Sequence, residues 1–311
     1  MKHVSKKFFS ALLACALGAG AARAWADVKI DAANFPDANF RRWVKENATG
    51  GKDVLTDAQR AAVEEMDLGF SEIASLKGVE HFTALRDLVC WSNELTELDL
   101  SGNPALEMLR CHGNELTKLD LSKNPGLKGL FCDQNRLAAL DLSWLPELYA
   151  LQCRHNALTA LDLSRNPALV ELDCWGNEIT ALDLSKNTAL VKLNCLENPI
   201  KELDLSKNKD LSEASLPETA AVTLPNGDKI DMKDFTPAKG KDGKLRLDLS
   251  KYAGKTGEVS AESEGEKEID VKSAEGVHTF APFDGKLTIP YELGEDAELD
   301  LIVFVQEEEE E

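Results

Sequence analysis

Apolar positions in the middle of the chain repeat with a period of 21 residues. Residues 85–95 read LRDLVCWSNEL, and five further stretches carry Leu, Leu, Cys and Asn at the same spacing. The register is marked by six cysteines: Cys90, Cys111, Cys132, Cys153, Cys174 and Cys195. Self-similarity at a fixed period of this length predicts a stack of short structural units, each contacting its neighbours.

Each unit continues with a second half of the form LxxLDLSxN, as in residues 116–124. Leucines alternate there with polar residues, which predicts an extended segment with its leucines turned inward. A unit this short leaves no room for a full helix on its return side, so both sides should be extended or 3₁₀. We therefore expect leucine-rich repeats over residues 66–216, forming a curved, right-handed parallel β solenoid with little helix on its convex side.

The segment before the repeats carries the signals of two short helices. Residues 34–37 (NFPD) resemble a helix start, and Thr56 with Gln59 fits the capping-box pattern before a second helix. Because the end of a solenoid needs covering, residues 27–65 are predicted to form a helical N-terminal cap.

The period ends near residue 216, and a different pattern follows. Apolar and polar residues alternate at 245–249 and at 299–305, and PNGD at 225–228 is a hairpin signal. This pattern predicts a C-terminal antiparallel β-sandwich over residues 217–306.

Both ends of the chain carry segments outside the predicted fold. Residues 1–26 begin with a basic stretch, continue with an apolar one and end in small residues, as a cleaved secretory signal peptide does. A lipoprotein signal at Cys15 is the less favoured alternative. Since a transmembrane helix needs ~20 apolar residues, no membrane span is expected. Residues 307–311, all glutamate, are interpreted as a solvated tail.

The charge balance limits the classes of partner. The chain has 55 acidic and 35 basic residues, a net charge of −20. Binding to nucleic acid or to anionic lipid depends on clustered Lys and Arg. The composition therefore argues against either as the main partner.

The combined Cys, Asn and LDLSxN spacing resembles that of the bacterial internalin-like leucine-rich repeat proteins, in particular those with 21-residue repeats and a cysteine ladder. The resemblance covers about residues 66–216. It implies an exported or surface-attached recognition protein without catalytic activity, often one used in adhesion or host contact. It also implies that the C-terminal sandwich is an immunoglobulin-like module. It names no ligand.

Stacking the units places equivalent residues in columns, and the cysteine column allows three interpretations. Neighbouring rungs lie about 4.8 Å apart, wider than the ~3.8 Å between Cβ atoms that a disulfide prefers. A metal site needs ligands that converge from several directions, whereas a column is a line. We favour six buried free thiols over disulfides or a metal site.

Two asparagine columns are predicted to satisfy backbone groups at the turns. The first contains Asn93, Asn114, Asn135, Asn156, Asn177 and Asn198; the second contains Asn103, Asn124, Asn166, Asn187 and Asn208, with Leu145 as its exception.

A column of aspartates is exposed to mutual repulsion. It contains Asp99, Asp120, Asp141, Asp162, Asp183 and Asp204. We expect the serine two residues on, and a basic column three residues on, to offset this repulsion. The basic column contains Lys123, Arg165, Lys186 and Lys207. Calcium bound along the aspartates is the alternative, and no metal is predicted.

Outward positions on the strand side vary from unit to unit, as a recognition surface would. Aromatic and Arg side chains, the usual anchors of protein interfaces, are frequent there. We predict that the concave face binds the ligand, with Trp91, Arg110, Phe131, Arg154 and Trp175 as anchors. The full candidate set is Trp91, Arg110, His112, Phe131, Asp133, Gln152, Arg154, Asp173 and Trp175. The alternative is that these side chains only cover the sheet or pack against another copy.

These patterns support two hypotheses of function. The first is an exported recognition protein that binds an extracellular or host protein or glycan, and the second is a structural or assembly component of the cell envelope. Catalysis is not expected and no cofactor is predicted. A catalytic cluster could be imagined from His112, Asp133, Arg154 and His155. The cysteines that could serve as its nucleophiles, however, should point into the core.

Overall fold

The structure is a computed structural model. It describes residues 26–239, 244–263, 267–274, 276–280, 283–294 and 297–305. Residues 1–25 of the segment interpreted as a signal peptide, with Cys15, lie outside the described residues, as does the glutamate tail. No helix in the described part of the chain is long and apolar enough to cross a membrane.

The repeats form one parallel sheet, to which every rung contributes a strand of three residues. These strands are Glu65–Asp67, Asp87–Val89, Met108–Arg110, Gly129–Phe131, Ala150–Gln152, Glu171–Asp173, Lys192–Asn194 and Glu213–Ser215. Pairing joins residues 21 positions apart, except that Glu65 pairs with Asp87, 22 positions on. The sequence period thus sets the register directly.

The middle residue of each strand points into the core, and so does the residue that follows the strand, which is a cysteine in six rungs and a leucine in the first and last. Leu109, Leu130, Cys111 and Cys132 are all fully buried. All six cysteines of the column are free and buried, as predicted. The leucines of the return side are buried too, but that side forms turns instead of a second sheet, with one strand at Glu202–Asp204.

The first asparagine column closes the turn that follows each strand. Asn135 accepts a hydrogen bond from the Leu116 N–H (3.0 Å), and its amide donates to the carbonyls of Cys111, Cys132 and Asp133 (3.1 Å each). The residue before each of these asparagines has a positive φ, between 47° and 66°, at Ser92, Gly113, Gln134, His155, Gly176 and Glu197. One side chain therefore connects two rungs.

The second asparagine column works at the opposite corner. The Asn124 amide donates to the carbonyls of Leu100 (3.1 Å) and Asn103 (2.9 Å), and its neighbours repeat this bonding. Leu145, at the exceptional position, is fully buried. Both columns have the structural role that the sequence predicts.

Both groups that we expected to offset the repulsion act on the aspartate column. Each carboxylate accepts the backbone N–H of the serine two residues on, at 2.8–3.0 Å. These serine hydrogen bonds lower the pKa of each aspartate. Within the described residues no member of the column has a basic partner inside 4.0 Å. The charge of the base three residues on nonetheless lowers the pKa of four of the aspartates, so the basic column offsets the repulsion without direct ion pairs.

Short elements precede the repeats. The helix Ala38–Trp43 begins after Asp37, which caps it, and continues as a π-helical turn at Val44–Ala48. The helix Asp57–Ala61 begins at the capping box of Thr56 and Gln59. Both start where the sequence signals place them. The strands Val28–Lys29 and Val54–Leu55 also precede the repeats, and a 3₁₀ turn at Val79–His81 follows the strand of the first rung.

The C-terminal strands belong to three sheets. Ala221–Thr223 pairs with Glu202–Asp204 on one side and with Lys229–Asp231 on the other. A four-stranded antiparallel sheet contains Ala238–Lys239, Leu245–Asp248, Val277–Phe280 and Lys272–Ala274. The remaining strands are Ser260–Ser263, Lys267–Glu268, Gly285–Gly294 and Ala297–Val305, and 3₁₀ turns occur at Met232–Phe235 and Ser250–Tyr252.

The repeat sheet does not stop at residue 216. Ala297–Val305 pairs in parallel with Glu213–Ser215 and antiparallel with Gly285–Gly294, so the sheet continues without a break into the C-terminal strands. Among the described residues this sheet has twelve strands. The expectation of a sandwich beginning at residue 217 missed this continuity.

Candidate recognition surface

The candidate residues lie in two outward columns, which we call the strand face: the residue before and the residue after each buried cysteine. The first column contains Val89, Arg110, Phe131, Gln152, Asp173 and Asn194; the second contains Trp91, His112, Asp133, Arg154, Trp175 and Leu196. All nine predicted residues are half-buried. They pack against one another across the rungs and do not project singly into solvent.

Trp91 is enclosed on both faces of its ring. A Cβ atom added to Gly69 would lie 2.7 Å from the indole, so the backbone of the preceding rung covers one face. His112 stacks in parallel on Trp91, with ring centroids 5.6 Å apart. Phe70 lies 6.0 Å from the indole and is 78% exposed. The indole therefore presents its edge to a partner.

A second aromatic group lies at the other end of the strand face. Trp175 contacts His155 at 4.8 Å and stacks on Phe304 at 6.2 Å, measured between ring centroids. Phe304 comes from the strand Ala297–Val305 and is 46% exposed. The C-terminal strands thus contribute a side chain to the surface that the repeats begin.

Arginines between the two aromatic groups are held by carboxylates. Arg110 Nη1 donates to both carboxylate oxygens of Asp87 (2.7 and 2.9 Å), and its guanidinium lies 5.6 Å from the centre of the Phe131 ring. Arg154 pairs with Asp173 at 2.7 Å. The cations are thus locally neutralised and fixed in orientation.

Among the described residues, three polar atoms of the second column are buried without a hydrogen-bond partner: His112 Nδ1, Arg154 Nε and Trp175 Nε1. Nearby, the backbone N–H of Arg154 donates to Asp133 Oδ1 at 2.6 Å. Burial nonetheless raises the pKa of Asp133, and burial lowers the pKa of His112. Buried polar atoms normally have partners, so this column retains unused hydrogen-bonding capacity.

The imagined catalytic cluster has no nucleophile. Cys111 and Cys153, the cysteines beside His112 and Arg154, point into the core. Burial raises the pKa of Cys111 to about 12, and that of Cys153 well above its ordinary value. A protonated, inaccessible thiol does not attack a substrate.

Phe70, His155 and Phe304 are parts of this surface that the candidate set omits. Phe70 has the same left-handed turn conformation as Ser92 one rung later (φ 55° and 50°). Extending the alignment back by one unit would have found it. Phe304 carried no such signal, because its place depends on which strand the last strand pairs with.

No family profile matches the chain. Internalin J of Listeria monocytogenes is 42% identical to it over 73 residues, a match that spans 22% of this chain and 8% of that protein. The crystal structure of internalin C2 from the same species covers 64% of this chain and 91% of its own, with a TM-score of 0.55 and 22% identity, which shows a shared fold.

The structure of a functional domain of internalin J, described as including a cysteine ladder, covers 91% of this chain and 99% of its own, with a TM-score of 0.41 and 19% identity. The resemblance inferred from the repeats is confirmed by internalin J and internalin C2. The chain is therefore a leucine-rich repeat solenoid with 21-residue repeats and a ladder of buried cysteines, which resembles internalin J in sequence over 73 residues and internalin C2 in fold.

Proposed function

We propose that this chain is an exported, non-catalytic recognition protein that binds a protein or glycan through its strand face, in adhesion or host contact. The observation that carries the proposal is the packed band of aromatic and charged side chains on that face. The core does not require these side chains, since the buried leucines, cysteines and asparagines fill it.

The band has the composition and order of a binding site. Trp, Arg and aromatic residues dominate the energetics of known interfaces. Here the stack of Trp91 on His112 and the ion pairs of Arg110 and Arg154 already fix the side chains. A partner therefore pays less conformational entropy on binding. The similarity to internalins supports an interaction role of this kind.

The other segments have subordinate roles in this proposal. Residues 1–26 direct export, and residues 27–65 cap the first rung. Residues 217–306 form an immunoglobulin-like module that extends the strand face through Phe304. Residues 307–311 remain a solvated tail.

Replacing Phe131 and Trp175 together by alanine should weaken binding at least about 100-fold, because hot-spot side chains each contribute about 2 kcal/mol. Partners captured from extracellular and host-cell extracts by residues 27–311 are identified first. The dissociation constant of each is then measured by calorimetry, for the parent and for the double variant.

Trp144→Ala is the matched control. Trp144 is 52% exposed and lies outside the strand face. The Trp144→Ala variant should bind the partner as the parent does, and circular dichroism checks that both variants fold. Equal binding by the parent and the double variant would refute the proposal. Concentration-dependent self-association in sedimentation, lost in the double variant, would support an assembly role in the cell envelope instead.

A further inference from the structure

A cluster of cations lies away from the strand face, on the first helix. Residues 38–52 contain Arg41, Arg42, Lys45 and Lys52 but one acid, Glu46, in a chain whose net charge is −20. Positions 38, 41, 42, 45 and 46 follow helical spacing and share one side of the helix. The local charge is thus opposite in sign to that of the whole protein.

Three of these cations, Arg41, Arg42 and Lys45, line an open cleft of about 370 Å³. Its walls are Ala38, Arg41, Arg42, Lys45, Glu46 and Gly51. Gly51 closes over the helix end, where its N–H donates to the Lys45 carbonyl at 2.6 Å. The cleft has room for one small anionic group and is open to solvent on its outer side.

The two arginines are held in place without being neutralised. Arg41 Nη1 donates to the carbonyls of Phe35 (2.6 Å) and Pro36 (3.1 Å), and Arg42 Nη2 donates to Asn39 Oδ1 (3.0 Å). All three acceptors are uncharged. Neither guanidinium has a carboxylate within 4.0 Å among the described residues, and the same holds for Arg165 on the rungs. A carboxylate does lie that close to each of Arg60, Arg86, Arg110, Arg136 and Arg154.

We propose that this cleft binds a single sulfate or phosphate monoester group. Guanidinium groups present several N–H donors in a plane that fits such oxyanions, and neutral acceptors already orient both groups here. Asp53 pairs with Lys45 at 2.5 Å and Glu46 also borders the cleft, so the two arginines supply the charge that an oxyanion would meet. At physiological ionic strength the Debye length is about 8 Å, so acids on distant rungs do not cancel this local field.

The experiment uses residues 27–311 and four probes: inorganic phosphate, inorganic sulfate, a sulfated oligosaccharide and a phosphorylated sugar. Binding is measured by calorimetry at low and physiological salt. Arg41→Gln with Arg42→Gln should weaken binding at least about tenfold, because each substitution removes a charge-assisted contact. Arg165→Gln with Lys186→Gln, two exposed cations on the rungs, is the matched control and should leave binding unchanged.

Arg42→Gln alone provides the same test if the double variant unfolds, since Arg42 is exposed and its guanidinium donates to the Asn39 side chain. No binding of any probe by the parent would overturn the proposal, as would equal losses in the cleft and control variants. The phosphorylated and sulfated probes distinguish the two esters. The Phe131→Ala, Trp175→Ala variant should bind the probes normally, so this inference and the proposed function fail independently.

Discussion

Above about pH 9 the protein should lose stability steeply, because six thiols are buried in one column. Burial raises the pKa of every one of them, to about 12 at Cys111 and at Cys174. In the unfolded chain a cysteine titrates near 8.5. The protonated form is therefore favoured in the native state across the window between these values.

The direction of this pH dependence follows from the number of protons that the native and unfolded states bind. Above about pH 8.5 the unfolded chain releases its thiol protons while the native protein retains them, so stability is complete below that pH and falls as the pH rises. Each thiol contributes about 1.4 kcal/mol per pH unit. Six thiols together give about 8 kcal/mol per unit, comparable to the 5–15 kcal/mol total of an ordinary domain. Unfolding is expected within about two pH units.

The measurement is the free energy of unfolding in urea, with reductant present, from pH 7 to 10.5. Cys132→Ala with Cys153→Ala provides the comparison, because it removes two of the six titrating groups. Its slope against pH should be shallower by about one third, even though its stability at pH 7 is lower. Burial also raises the pKa of Tyr291, to about 12, which affects both proteins alike. Equal slopes would show that the thiols do not govern alkaline unfolding.

The inner columns could be predicted from sequence because a constant period determines two features of the fold. It identifies which residues share a column, and it sets the strand register, so Leu130, Cys132 and Asn135 have the environments that their positions imply. The turn chemistry of asparagine then needs no knowledge of distant parts of the chain. The helix starts at Asp37 and Thr56 were predictable for the same reason.

The outer surface was less predictable, because its contacts depend on distant partners and on the rotamers of long side chains. Alternation places Phe304 on one face of its strand but does not reveal that this strand pairs with Glu213–Ser215 and sets the ring on Trp175. The serine N–H groups that bind the aspartates were predictable, since they lie two residues away in the same turn. The distance from each carboxylate to the base three residues on was not, because long side chains have many rotamers.

Replacing Asn135 should lower the free energy of unfolding more than replacing most other residues of the repeats. Asn135→Ala removes four hydrogen bonds, which join the Leu116 N–H and the carbonyls of Cys111, Cys132 and Asp133. The Leu116 and Cys111 groups belong to the preceding rung, so neighbouring rungs lose a shared contact. Buried groups left without a partner cost about 1–3 kcal/mol each, and we expect at least about 3 kcal/mol in total.

Urea unfolding followed by tryptophan fluorescence measures this loss. Arg136→Ala, one residue on, is the control: its contact with Glu115 at 3.4 Å joins two exposed side chains, so its effect should be close to zero. Asn156→Ala removes the same pattern of bonds from a less buried position and should be slightly milder. A loss below about 1 kcal/mol in Asn135→Ala would mean that water replaces the side chain in the turn. The asparagine column would then recur with the repeat without stabilising the fold.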